Sequence, residues 1–291
     1  MTDRTALAEL ERVWNENGAV GQLGYEISGD TAMELRLAET GLMSLPDAVW
    51  QLEHLTRLYI YGNPITEIAP SVGRMQGVLV LDLGHNRLLT LPEAVGQLTS
   101  LTFLYVHDNQ LTALPDSLGN LTKLIYLNVG ENPITVLPKG IGNLARLREL
   151  RAGNCRLTYL PESMGELACL KELHLQKNQL QSLPEAIGNL GALRRLILES
   201  NAVAALPESL GQLERLTELN LRNNQLSSLP DGFSQLRSLA YLDLRANRFT
   251  SLPAVIRDLP LLEKLDLRWN RLSALPPWLG ELEERGCSIY L

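Results

Sequence analysis

The chain is poor in the residues that most often carry chemistry. Its 291 residues hold three cysteines, Cys155, Cys169 and Cys287, odd in number and widely scattered, which excludes a disulfide framework. Aromatic residues make up only 5%, and histidines number four. No apolar run approaches the roughly 18 residues of a membrane-spanning helix. The start, MTDRTALAELERVWNENG, is charged throughout and has no apolar leader core. No phosphate-binding glycine loop, G-x-S-x-G or H-E-x-x-H motif occurs. A basic excess is missing too: the net charge is −7, opposite to the footprint of a nucleic-acid binder. The expectation from these absences is a reducing, cytoplasmic compartment, with no membrane, no nucleic acid, no cofactor and no enzyme.

What the chain has in excess is leucine at fixed intervals. Leu98 to Pro115 reads LTSLTFLYVHDNQLTALP, and the same sentence begins again 23 residues later. Its asparagine marks a ladder: Asn63, Asn86, Asn109, Asn132, Cys155, Asn178, Asn201, Asn224, Asn247 and Asn270, with Thr40 in the slot upstream. A fixed period in this range is the signature of a solenoid, whose units bury themselves only against their neighbours. Within each unit the L-x-L pair, such as Leu104 and Val106, alternates as a strand with one buried face does. The marker amide is placed to satisfy backbone groups where the strand turns, and Cys155 in that slot reads as structural. The following L-x-x-L-P carries two more buried residues. Pro at the start and Gly at the end then bracket a short helical turn. A carboxylate usually follows the Pro, as in Asp47, Glu93, Asp116, Glu162, Glu185, Glu208 and Asp231. These acids suit a helix start and, less Lys139 at the one basic position, account for most of the net negative excess.

Three segments follow. Residues 1–31 lie outside the repeat, with Leu7, Leu10, Val13 and Trp14 at helical spacing over roughly Arg4 to Asn15 and a stop at Asn17-Gly18; they read as an N-terminal helical cap. Residues 32–284 hold eleven repeats, and in one a buried leucine slot carries only Ala152. Residues 285–291 read as a C-terminal capping strand, with Ile289 and Leu291 alternating inward.

The unit N-x-L-x-x-L-P-x-x-[IL]-G-x-L-x-x-L-x-x-L-x-L resembles the leucine-rich repeat, and its LP-x-x-I-G segment resembles the intracellular Ras-group class, with Scribble- and Erbin-type members and plant and bacterial relatives. The resemblance implies an α/β horseshoe with a concave parallel β-sheet, short convex helical turns and terminal caps. It also implies a binding scaffold, often for small GTPases or signalling enzymes. The alternative role is a substrate-recognition or targeting subunit, a bacterial effector among the cases, that serves a separate signalling enzyme. Every motif residue is a core or turn residue, so no functional site comes with the fold.

Specificity therefore belongs to the variable positions six, four and two before each marker. Scarce as aromatics are, Tyr59, Tyr61, Phe103, Tyr105 and Tyr126 gather there with His107 beside them, and Gly84 and Gly130 leave room around them. Tyrosines with an apolar body and a polar tip are what interface hot spots use, so these six are the expected partner-binding residues, for a protein or peptide. A second patch stacks Arg222, Arg245 and Arg268 beside Trp269. Like charges at strand spacing repel unless neutralised, either by Asp243 and Asp266 alongside or by an acidic ligand. His85, Asp108 and Glu131 stack near His107, but loop-edge polarity explains them and no metal is expected. A monomer is the expected state.

Overall fold

The computed structural model describes residues 3–16 and 23–291, so the expected helix stop at Asn17-Gly18 lies outside the described residues. The chain divides into two compact units, Met1–Leu147 and Arg148–Leu291.

The first unit opens with helix α1, Asp3–Glu16, which buries Ala6, Leu7 and Leu10. Asp3 is itself buried and accepts the backbone N–H of Ala32 at 2.9 Å. Strands β1 (Gly24–Ser28) and β2 (Thr31–Arg36) form an antiparallel hairpin. Strands β3 (Arg57–Tyr59), β4 (Val80–Asp82), β5 (Phe103–Tyr105) and β6 (Tyr126–Asn128) then add in parallel, each in register with the one before. In the second unit β7 (Glu149–Arg151), β8 (Glu172–His174), β9 (Arg195–Ile197), β10 (Glu218–Asn220), β11 (Tyr241–Asp243) and β12 (Lys264–Asp266) continue the same parallel pattern. The unit ends with helix α2 (Leu279–Glu284) and strand β13 (Ser288–Tyr290), paired parallel with β12. Leu279 and Leu282 are buried, but Leu291 is 57% exposed and does not turn inward.

The short strands β3 to β11 bury their central leucine and leave both flanks at the surface, as period-two alternation requires; in β12 the flank Asp266 is buried as well. The leucines of the L-x-x-L-x-L sentence are almost all fully buried, Leu98, Leu101, Leu104 and Val106 at 0% exposure among them. Ala152 fills its leucine slot and is also fully buried.

The turn after most L-P pairs is a 3-10 helix of five residues with Pro as its N-cap, as in Asp116–Asn120 and Glu185–Asn189; Ala69 caps Pro70–Arg74, and Ala254–Ile256 has only three residues. Its acidic first residue acts outward along the stack. Glu93 accepts the N–H of Ser117 at 3.1 Å, and Glu208 accepts that of Gly232 at 2.8 Å. Each carboxylate thus caps the turn of the next repeat, where Pro offers no side-chain acceptor. The glycine four residues after Pro does not use a left-handed conformation. A Cβ on Gly119 would lie 2.6 Å from the carbonyl oxygen of Gly140, so this glycine lets successive turns approach closely.

The marker asparagines satisfy three kinds of backbone group at once. The Asn109 amide donates to the carbonyls of Leu83 (3.0 Å), Val106 (3.1 Å) and His107 (3.1 Å), and its oxygen accepts the Leu88 N–H at 2.9 Å. Thr40 takes the first slot by bonding Asn63 through both its N–H and its hydroxyl, each at 2.9 Å. Cys155 is buried in its slot, with its thiol 3.7 Å from the Gly153 carbonyl. The residue just before each marker is left-handed: Glu39, His85, Asp108, Glu131, Asn154, Lys177, Ser200, Asn223, Ala246 and Trp269 all have φ between 51° and 64°. This bend lets the N–H of such a residue still reach the next repeat, as His85 does to His107 at 3.0 Å.

Candidate functional site on the exposed strand face

In the first unit the strand flanks assemble the expected aromatic group. Parallel register places Phe103 directly beside Tyr126 and Tyr105 beside Asn128. The Tyr105 and Tyr126 rings approach to 4.9 Å between centroids, Phe103 and Tyr126 to 6.4 Å, and Tyr105 and His107 to 6.4 Å. Phe103, Tyr105, His107 and Tyr126 are half-buried, and so are Tyr59 and Tyr61. Tyr59 stands apart from this ring cluster: β4 intervenes, and its ring lies under the Arg36 guanidinium at 4.7 Å. Arg36 and Arg57 in turn hold Glu34, which is only 3% exposed. Burial pushes the Glu34 carboxyl up, but the bonds from Arg57 and Arg36 outweigh it and hold the group below the usual carboxylate range.

Next to the rings lies a histidine pair. His85 donates from Nδ1 to Asp108 at 2.7 Å, and the Nε2 atoms of His85 and His107 are 3.2 Å apart. A Cβ on Gly84 would lie 2.5 Å from His107 Cε1, so the room left by Gly84 is filled by the His107 ring. His107 Nδ1 is buried with no hydrogen-bond partner. Burial, then the proximity of His85, keeps His107 below the ordinary imidazole pKa; burial likewise raises Asp82.

In the second unit Arg222, Arg245, Arg268 and Trp269 do come together. All three guanidiniums lie over the Trp269 ring, at 5.6, 5.9 and 5.5 Å from its centroid. The group is charge-balanced rather than basic. Arg245 binds Asp243 and reaches Asp266 at 3.4 Å, Arg268 binds Asp266 at 2.7 Å, and Arg222 meets Glu199 at 3.4 Å. Beside it is an open hollow of about 360 Å³ lined by Glu218, Asn220, Tyr241, Asp243, Lys264 and Asp266. Tyr290, overlooked in the sequence, belongs here: Lys264 and Arg268 both lie over its ring, at 5.3 and 5.4 Å. Its signal was register, because β13 pairs Tyr290 with Asp266, yet the extra residue before it takes it off the 23-residue count.

Ligand atoms of Glu149, Glu172 and His174 lie within 4.8 Å of one another. Arg151 binds Glu149 at 2.6 Å and Arg195 meets Glu172 at 3.4 Å, so guanidiniums already occupy both carboxylates.

Stacked parallel strands, an asparagine ladder and short 3-10 turns define a leucine-rich repeat solenoid. The sequence matches the leucine-rich repeat region family over residues 80–158 and 141–238, together more than half of the 291, and a second leucine-rich repeat family over 207–272. The chain belongs to the leucine-rich repeat family. No curated protein matches it. Among solved structures it is similar to the plant peptide hormone receptor RGFR1 in complex with RGF2, at 26% identity and a TM-score of 0.69, over 85% of this chain and 45% of that one. It is also similar to the ectodomain of the Arabidopsis receptor kinase HAESA bound to an IDA peptide hormone ligand, at 29% identity and a TM-score of 0.66, over 78% of this chain and 40% of that one. The chain thus spans less than half the length of these two structures.

These likenesses correct two expectations. The repeats resemble receptor-kinase ectodomains rather than the intracellular Scribble- and Erbin-type class. The LP-x-x-I-G segment builds the 3-10 turn and its close stacking, a requirement of the fold that carries no address. The cytoplasmic assignment falls for the same reason: it rested on a missing leader and a missing disulfide framework, and the relatives that overturn it are ectodomains. Among the described residues no helix is long and apolar enough to cross a membrane.

Proposed function

We propose that this chain is a non-catalytic recognition module that holds a peptide or protein partner against the exposed strand face of its first unit. The observation that carries the reading is the ring cluster of Phe103, Tyr105 and Tyr126 on adjacent strands, bordered by His107. Half-buried aromatics held rigidly by neighbouring strands offer large contact area at little entropic cost. The similar structures support a peptide in particular, since two of them are described with peptide hormones bound. A small GTPase or a signalling enzyme would be a narrower version of the same partner, engaging the same face. Tyr59 and Tyr61 extend the face toward β2, and the Trp269 cluster with Arg222, Arg245 and Arg268 is a separate contact surface on the second unit. Residues 1–31 and 285–291 act as caps that cover the ends of the repeat stack.

The test is selection from a displayed peptide library on the wild-type chain, followed by affinity measurement on Phe103→Ala, Tyr105→Ala and Tyr126→Ala. Circular dichroism must show each variant folded. Selected peptides should lose at least tenfold in affinity on Tyr105→Ala and keep it when exposed Tyr159 is changed instead. Equal affinities across all variants would overturn the reading.

A further inference from the structure

The histidines beside the aromatic face bring two ring nitrogens within reach of one ion. The His85 Nδ1–H is committed to Asp108 at 2.7 Å, because a carboxylate can only accept. The lone pair of His85 is therefore on Nε2, the atom that faces Nε2 of His107 at 3.2 Å. Two imidazole nitrogens bound to one tetrahedral ion at 2.0–2.1 Å each would lie about 3.3 Å apart. A straight N–H···N hydrogen bond at this separation would put the ring centroids about 5.5 Å apart. The centroids are instead 4.6 Å apart, shorter than a straight bond gives and nearer the about 5.2 Å of two ligands on one tetrahedral ion, so the nitrogens meet at a bend.

The surroundings of His85 agree, while Nδ1 of His107 is buried without a partner. A carboxylate on the outer nitrogen of a ligating histidine fixes its tautomer and strengthens it as a donor, which is the role open to Asp108. Gly84 gives His107 its place, and the pair reaches the surface through His85, which is exposed. The other candidate, Glu149 with Glu172 and His174, has its carboxylates held by Arg151 and Arg195, which a dication would have to displace.

We propose that His85 and His107 form a two-histidine site for a divalent transition-metal ion of the zinc class, with Asp108 as the positioning residue and the remaining coordination positions taken by water or by a donor from a bound partner. Imidazole pairs favour such ions over calcium or magnesium, which take oxygen ligands. The site rests on the histidines alone, so its failure would leave the peptide-binding reading intact.

The experiment is calorimetric titration of the full chain with zinc ion alone, repeated on His85→Ala, His107→Ala, Asp108→Asn, His174→Ala and His54→Ala. One ion per chain should bind, with affinity weakened at least tenfold by His85→Ala or His107→Ala and unchanged by His174→Ala or His54→Ala. Asp108→Asn keeps the left-handed backbone that asparagine tolerates, and should weaken binding about tenfold, at the low end for an outer-shell partner. Nitrogen-detected NMR of the wild-type imidazoles supplies a readout that needs no variant: both Nε2 resonances should shift on zinc addition. Absence of saturable binding below millimolar zinc, or binding that survives His85→Ala and disappears in His174→Ala, would overturn the proposal.

Discussion

The side-chain oxygen of Asn109 accepts the backbone N–H of Leu88, 21 residues earlier in the chain, at 2.9 Å. The same amide donates to Leu83 in the neighbouring repeat and to Val106 in its own. One side chain therefore ties two repeats together at a place where backbone groups are sealed from water. Asn109→Ala should destabilise the first unit by about 2–4 kcal/mol, since each buried group left unpaired costs about 1–3 kcal/mol. The urea midpoint would show it. A change under about 0.5 kcal/mol would mean that water replaces the amide.

A second consequence concerns the residue before each marker. Ala246 has φ 52°, a conformation that costs an L-residue about 1–2 kcal/mol and glycine little. Gly62 occupies the equivalent place at φ 73°. Ala246→Gly should thus stabilise the second unit, after about 0.4–1 kcal/mol is given back to the freer unfolded chain. A net gain of about 0.5–1 kcal/mol in urea unfolding is expected. A loss would show that the Ala246 methyl has a packing role.

These two features mark the limit of what the sequence displays. The marker column was legible because one residue type repeats in it, and so were the leucine slots and the proline that starts each turn. The left-handed column was not, because His85, Lys177, Ser200 and Trp269 share no side-chain chemistry and only the backbone is common to them. At the candidate site the gathering of Phe103, Tyr105 and Tyr126 followed from register alone. The separation of Tyr59, drawn under Arg36, and the bend between His85 and His107 depend on side-chain torsions that spacing does not encode.

The glycine of the helical turn supplies a third test. On Gly119 an added Cβ would meet backbone atoms of Gly140 at 2.6 and 3.0 Å, whereas on Gly191 it would meet nothing within 4 Å. Gly119→Ala should cost about 1–3 kcal/mol through overpacking against backbone that has no torsion to spare. Gly191→Ala should be neutral or stabilising by up to about 1 kcal/mol. Equal effects in urea unfolding would remove close stacking as the reason for the glycine.

Acid should weaken the first unit through Glu34. Its carboxylate is buried between Arg36 and Arg57, with Glu26 also on Arg57. Burial alone would favour the neutral acid; the two guanidiniums reverse that and lower the pKa. A folded pKa below the unfolded one means that the ion pairs stabilise fully above the unfolded value of about 4.3. That contribution is lost as pH falls through the lower, folded value. Glu34→Gln removes the titrating group and leaves both arginines short of a charged acceptor, so the variant should be less stable than wild type at pH 7. As pH drops below about 4 the two urea midpoints should converge, because wild type then loses what the variant never had. A stability gap that stays constant down to pH 3 would show that Glu34 contributes shape and hydrogen bonding rather than charge.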